Sequence, residues 1–305
     1  MELIAYIGLF VVSLFVLVKA SDWFVSGAEA IGLSLGISPF IIGVTIVAFG
    51  TSLPELAASI AAVVSGASEI VVGNVVGSNI TNILLVLGLT AIFSKKIQLD
   101  RNAMAIDISM LIASALLLWF ALTDLRMSWF DIVVFLIGMF IFLMNSISGD
   151  KDDLVDRPAA TSRNYLMVLV GAGLVYGGAH FTIVAIQEIS MQIGINPEII
   201  ALTCVALGTS LPEVVVSITA ARRGNSGIAI GNVLGSNLFN TFAVMGIPAL
   251  LGPLVIPQSI LGFSLPVMVV VTAIFAGLIL AKQINRVFGL MLVVGYVFFL
   301  YFSFV

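Results

Sequence analysis

Charge is scarce in this sequence. Its 12 Lys and Arg and 16 Asp and Glu make up 9% of 305 residues, where a soluble domain carries about 25%. Cysteine and histidine are scarcer still, one of each, Cys204 and His180. A lone cysteine excludes an intrachain disulfide and any cysteine-based metal cluster. Set inside an apolar run, Cys204 reads as a small buried hydrophobe. With one histidine, no zinc motif and no nucleophile paired to a base, an enzyme is the weakest of the functional readings.

Apolar residues are abundant instead: 61% of the chain, with a mean hydropathy of +1.23. A membrane-spanning helix needs about 20 consecutive apolar residues. Runs of that kind cover 3–19, 38–64, 70–94, 102–123, 128–147, 164–187, 196–221, 227–251, 257–281 and 284–304. Too little sequence remains for a soluble domain. The expected fold class is an all-α membrane protein of ten transmembrane helices. The first run lacks the basic flank and the small-residue cleavage site of a signal peptide, so it is read as a helix of the mature protein.

The few charges are unevenly placed. Eleven of the 12 basic residues follow odd-numbered runs, and only Arg126 follows an even-numbered one. Lys and Arg accumulate on the cytoplasmic face. Both termini are therefore expected outside, with the 148–163 loop in the cytoplasm of a cell-membrane protein. The acidic cluster of that loop, Asp150, Asp152, Asp153 and Asp156, lacks the glycine and glutamate of a calcium-binding EF-hand and reads as a solvated linker.

Two stretches repeat at a constant offset of 158 residues. From Thr45 to Leu56 and from Thr203 to Val214, 9 of 12 positions are identical, including a shared GTSLPE. The segment 73–79, GNVVGSN, returns at 231–237 as GNVLGSN, and Asn82 returns as Asn240. Apolar low complexity produces chance matches of Leu and Val, but not two polar motifs at one offset. The offset spans five helices, an odd number, so the second copy enters the membrane upside down. The expected domains are a first five-helix repeat, 1–147, a linker, 148–163, and a second, inverted five-helix repeat, 164–305. An inverted repeat places a shared site near the midplane and suits alternating access.

The motifs suggest what that site holds. Pro54 lacks an N–H and crowds the carbonyl of Gly50, and Pro212 does the same to Gly208, so helices 2 and 7 are expected to be broken. Carbonyls freed inside hydrocarbon must find other partners. Together with the hydroxyls of Thr51, Ser52, Thr209 and Ser210 and the carboxylates of Glu55 and Glu213, they form an all-oxygen set that suits a hard cation such as Ca²⁺, not zinc or copper. Ser78 and Asn82, like Ser236 and Asn240, are four residues apart and share a helix face. Gly73, Gly77, Gly231 and Gly235 are expected to let that face approach the broken helix closely. An acid in the bilayer costs roughly 2.5–3.5 kcal/mol and marks an ion pathway. No span carries a central Lys or Arg to neutralise these two. Two carboxylates balance one Ca²⁺. Several Na⁺ in its place would leave a different charge, so such an exchange is electrogenic.

GTSLPE with GNxxGSNxxxN, present twice in inverted halves, resembles the alpha repeats of the sodium/calcium exchanger family, within the cation/calcium antiporters. The likeness covers the whole membrane region. It implies antiport of Na⁺ against Ca²⁺, with Glu55, Glu213 and the Thr51 and Thr209 carbonyls holding Ca²⁺. Carried over by position, it implies Na⁺ sites using Ala48, Ala206, Ser52, Ser210, Ser78 and Ser236, completed by Asn82 and Asn240. The expected partners are Ca²⁺ and Na⁺ as substrates and the lipid bilayer, with no cofactor, no nucleic acid and no obligate protein partner.

Departures narrow the expectation. Potassium-dependent members place an aspartate where Asn240 stands, so exchange is expected to be K⁺-independent. Calcium/proton members show G-N-x-x-E where this chain has Gly50-Thr51-Ser52-Leu53-Pro54-Glu55, so an exchanger of Ca²⁺ for H⁺, or of another divalent cation, is the alternative. A channel ranks behind both, because channels build their filters from rings of identical subunits. The short 148–163 loop leaves no room for the regulatory domain of animal exchangers. His180, aligned with Asp22 across the repeat, is expected to be a hydrogen-bonded helix-packing residue.

Overall fold

The computed structural model describes residues 2–94, 101–148, 159–194, 208–282 and 284–304. Among them the chain forms ten helices and no strand. They are α1 (Glu2–Ser34), α2 (Pro39–Val64), α3 (Glu69–Phe93), α4 (Arg101–Leu122), α5 (Trp129–Ser148), α6 (Ser162–Gln192), α7 (Leu211–Arg222), α8 (Ser226–Ala249), α9 (Ile260–Leu280) and α10 (Arg286–Phe304). Eight are long and apolar enough to cross a bilayer; α4 contributes the shorter apolar stretch Asp107–Leu122.

The first helix is far longer than its apolar run. Hydropathy falls after Lys19, yet nothing there breaks a helix. The Ser21 and Ser26 hydroxyls fold back onto the Leu17 and Asp22 carbonyls, and Asp22 is paired with Arg223. Lys19 thus sits within α1, not in a loop, and the helix ends only where Gly36 takes a positive φ of 71°. Its counterpart α6 ends likewise before Gly194, at φ 82°. Such backbone angles favour glycine, which has no Cβ to clash.

These two equivalent helices pack along each other in opposite directions. A Cβ at Gly171 would strike the Phe24 backbone at 3.0 Å, and one at Gly178 would strike that of Leu17 at 2.9 Å. Further along, Thr182 Oγ1 donates to Ser13 Oγ at 3.0 Å. As residue numbers rise on one helix they fall on the other, which is what an inverted repeat demands of helices 158 residues apart. The pair forms one apolar layer with parts of α2, α7 and α8. A larger cluster unites α3, α4, α5, α8, α9 and α10. Between them lie α2, α3, α7 and α8, which carry the repeated motifs.

The expected break in helix 2 takes an unexpected form. The α-helix runs through Pro54, from Ala48 to Val64. The irregularity is a five-residue π-helical segment just before it, Gly43–Val47. A π-turn inserts a residue and re-aims every side chain after it, so it distorts the helix without a gap. In the second half the chain turns at Thr209 and Ser210 before α7 begins with Pro212 in its first turn. That position tolerates proline, whose missing N–H has no helical partner there.

Glycine-mediated approach is one-sided. A Cβ at Gly231 would lie 2.3 Å from the Phe40 carbonyl oxygen, and one at Gly235 would lie 2.2 Å from that of Val44. The N-terminal half of α2 therefore presses directly on α8. Gly73 and Gly77 behave otherwise: a Cβ would meet only Ile260 at 3.7 Å at the first and nothing within 4 Å at the second. The expectation of close approach holds for the second copy and fails for the first.

Candidate ion-binding site

Both motif acids are in the interior. Glu55 on α2 is 1% exposed and Glu213 on α7 is 0% exposed, and the two carboxyls are electrostatic neighbours. Ser52, one turn before Glu55, donates from Oγ to Glu213 Oε1 at 3.0 Å. The acids of the two halves thus meet. Among the described residues the sole ion pair is Arg223–Asp22, at 3.2 Å and partly exposed, so no basic side chain neutralises either acid.

Four of the other expected residues stand beside the acids, and the described remainder lie on α2, α3 and α8 or at the N-cap of α7. Ala48, Thr51 and Ser52 are buried on α2, Ser78 and Asn82 on α3, and Ser236 and Asn240 on α8. Ser210, also buried, occupies the N-cap position of α7. Ser52, Thr51 and Ser236 surround Glu213. Thr209, half-buried, stands beside Glu55. Ala206 lies outside the described residues. Asn82 and Asn240 each open a π-helical segment, Asn82–Val86 and Asn240–Val244, again 158 residues apart. Irregular turns of this kind recur at functional positions because they offset backbone groups from the regular ladder.

The polar atoms of this cluster are unevenly satisfied. Glu55 Oε1 and Oε2, Glu213 Oε2, Ser210 Oγ, Ser236 Oγ, Asn82 Oδ1 and Asn240 Oδ1 are buried without a protein hydrogen-bond partner. Leaving one buried polar group unpaired costs about 1–3 kcal/mol, and more for a charged one. Orphaned oxygens on both acids and on the helices around them, with Asn240 Nδ2 the one orphaned nitrogen among the described residues, fit a ligand that accepts lone pairs, a cation. Ca²⁺ takes 6–8 oxygen ligands. No group of three His, Cys, Asp or Glu suited to a metal occurs among the described residues. The donor set is therefore two carboxylates diluted by neutral oxygens, which suits weak, exchangeable binding of hard ions.

Two further asparagines belong to the site. Asn74 and Asn232, the asparagines of the two GN pairs, hydrogen-bond the threonines of the opposite half. Thr209 Oγ1 donates to Asn74 Oδ1 at 3.4 Å, and Thr51 Oγ1 donates to Asn232 Oδ1 at 3.1 Å. Their signal lies in the spacing: Asn74 is four residues before Ser78, and Asn232 four before Ser236, so the polar face extends one turn further back. Asn79 and Asn237 also escape a reading of the sequence. They meet across the halves, where Asn82 Nδ2 donates to Asn237 Oδ1 at 3.0 Å and Asn237 Nδ2 to the Asn79 carbonyl at 3.4 Å.

A cavity of about 630 Å³ opens next to this cluster, bounded by Pro54 on α2, His180 and Gln187 on α6, and Thr209 and Pro212. His180 makes aromatic contacts there, with ring centroids 6.4 Å from Tyr176 and 5.3 Å from Phe181, and the expected hydrogen bond is not among those of the described residues.

Comparisons with known proteins agree with this arrangement. The sequence profile of the family described as sodium/calcium exchanger protein matches residues 5–148 and 163–305. The sodium/calcium exchanger MaX1 of Methanosarcina acetivorans is 35% identical over 93% of this chain and 94% of its own length. The inner membrane protein YrbG of Escherichia coli is 30% identical over 95% and 94%. Among solved structures, the sodium-calcium exchanger NCX_Mj soaked with zero Na⁺ and Ca²⁺ superposes with a TM-score of 0.86 at 32% identity, covering 97% of this chain and 98% of that one. With its inverted helical halves and its paired buried acids, the chain belongs to the sodium/calcium exchanger family, as an integral membrane antiporter that moves Ca²⁺ against another cation and is not an enzyme.

Proposed function

We propose that the counter-ion is Na⁺ and that Na⁺ and Ca²⁺ occupy the cluster around Glu55 and Glu213 in turn, by alternating access. The observation that carries this reading is the meeting of two unneutralised carboxyls amid oxygens that lack protein partners. Ca²⁺ between the acids leaves the site neutral. Its replacement by Na⁺ ions held also by Ala48, Ala206, Ser52, Ser210, Ser78, Ser236, Asn82 and Asn240 changes the net charge, so the exchange is electrogenic. Asn240 is an amide and adds no third charge, which favours K⁺-independent exchange.

The same reading gives the protein two working halves, 1–147 and 164–305, joined by the 148–163 linker. Both termini lie outside the cell membrane and the linker inside, following the placement of Lys and Arg. The Arg223–Asp22 pair fits this orientation, because it brings the α1 segment after Lys19 level with the basic end of α7.

The test is uptake of radiolabelled Ca²⁺ into proteoliposomes with Na⁺, K⁺ and H⁺ gradients imposed one at a time. Uptake driven by an outward Na⁺ gradient and altered by a clamped membrane potential is expected. Uptake that follows the H⁺ gradient with no need of Na⁺ would assign the protein to Ca²⁺/H⁺ exchange instead.

A further inference from the structure

Four helices carry the site, and the hydrogen bonds between them close a ring. On α3, Asn74 Nδ2 donates to Ser59 Oγ of α2 at 3.0 Å and to the Glu55 carbonyl at 3.2 Å. Its Oδ1 accepts from Thr209, just ahead of α7. On α8, Asn232 Nδ2 donates to Ser217 Oγ of α7 at 2.9 Å, and its Oδ1 accepts from Thr51 of α2. Ser59 and Ser217 are 158 residues apart, as are Thr51 and Thr209. The same staple therefore occurs twice, related by the repeat, and each crosses from one half to the other. Ser59, Ser217 and Asn232 are wholly buried, so none of these groups has water as an alternative partner.

From this ring we infer that Asn74 and Asn232 are positioning residues of the exchange reaction, holding the two half-sites at a set separation and thereby tuning selection among divalent cations by radius. The inference rests on the cluster around Glu55 and Glu213 being the transport site. Thr51 precedes Glu55 by one helical turn, and Thr209 precedes Glu213 by the same interval. Tethering each threonine to an asparagine of the other half ties the turn bearing one acid to the scaffold bearing the other. An amide suits this position because it donates within its own half and accepts across the halves. Aspartate would keep the acceptor and lose the donor while adding a third charge. Neither asparagine need touch the ion. Cation size discrimination depends on how rigidly the ligand oxygens are held apart, and a hydrogen-bonded network anchored at the buried Ser59, Ser217 and Asn232 is a rigid spacer.

The test compares Ca²⁺ with the larger Sr²⁺ in proteoliposomes carrying wild-type protein, Asn232→Ala, Asn74→Ala, or Thr51→Val. The last variant removes the cross-half bond from the other end while keeping the Thr51 backbone carbonyl and the side-chain shape. Apparent affinity for Ca²⁺ relative to Sr²⁺ is expected to fall about three- to tenfold in each, the worth of one net hydrogen bond. Combining Asn232→Ala with Thr51→Val should add nothing to either alone, since both delete the same bond. A purely structural role would lower expression or thermal stability and leave the Ca²⁺/Sr²⁺ ratio untouched, and that result would overturn the inference. If the alanine variants do not fold, an unchanged ratio in Thr51→Val overturns it equally. Wild-type protein showing no Ca²⁺ uptake under a Na⁺ or an H⁺ gradient would instead sink the transport reading itself. In that case the ratio is read from Ca²⁺- and Sr²⁺-induced thermal shifts of the purified proteins, where the same fall supports the inference and an unchanged ratio overturns it.

Discussion

Ser52 Oγ and Glu213 Oε1 lie 3.0 Å apart although 161 residues separate them in the chain. The mirror-image pair at the repeat offset, Ser210 and Glu55, is not made: the Ser210 hydroxyl and both Glu55 oxygens are orphaned. The two halves are alike in sequence and unlike at this bond. A net intramolecular hydrogen bond is worth about 0.5–1.5 kcal/mol. Ser52→Ala should lower the stability of cation-free protein by about that much, whereas Ser210→Ala should change it by less than about 0.5 kcal/mol. Thermal unfolding in a chelator, read for both variants, checks the difference; equal losses would contradict it.

Ligand-linked stabilisation follows from the orphaned oxygens around Glu55. Cations that bind the folded protein alone raise its stability by about 2.7 kcal/mol at a hundredfold excess over Kd. Wild-type protein should therefore gain several degrees in Tm with added Ca²⁺. Glu55→Gln and Glu213→Gln should lose most of that gain and abolish Ca²⁺ uptake, because one remaining carboxylate cannot balance a divalent ion. Differential scanning fluorimetry with and without Ca²⁺, beside the uptake assay, decides the matter. A full Ca²⁺ shift in either variant would remove that acid from the site.

Helix approach makes a contrasting pair of substitutions informative. Gly235→Ala drives a methyl to 2.2 Å from a backbone oxygen, which only a shift of α2 against α8 would relieve. Overpacking of that kind costs about 1–3 kcal/mol. Gly77→Ala, its equivalent in the first repeat, enters open space and should be neutral or mildly stabilising, since alanine favours the helix. Side-by-side melting curves test this, and equivalent losses at the two positions would refute the one-sided packing.

The Arg223–Asp22 pair joins α1 to the end of α7 at a partly exposed position. Pairs of this kind contribute about 0–1 kcal/mol and are screened by salt. Arg223→Ala should therefore cost under about 1 kcal/mol at low ionic strength. The loss should shrink in high salt, as measured by thermal unfolding across a salt series.

Much of this organisation is legible in the sequence. Each of the ten apolar runs overlaps a helix among the described residues, and the repeated motifs lead to the two buried acids and the hydroxyls beside them. The end of α1 is not legible, because hydropathy registers polarity, whereas Lys19, Asp22 and Ser26 are polar without breaking a helix. The π-helical form of the helix 2 distortion is hidden because a π-turn changes the hydrogen-bond step and not the composition. Asn74 and Asn232 escape notice because their motif reads as a helix-packing signal and not as the polar face one turn beyond Ser78 and Ser236.

The chain alone determined that it spans a membrane, that it does so as two inverted halves, and that one acid from each half is buried. Those properties follow from local hydropathy, from an odd number of helices per repeat, and from motifs contiguous in sequence. Tertiary structure decided which half donates and which accepts, which glycines bear a neighbouring helix, and which asparagines cross between the halves. Each of these depends on how two copies of similar sequence settle against one another, and the bonds involved join residues 135 to 181 positions apart. No local pattern encodes contacts over such a separation.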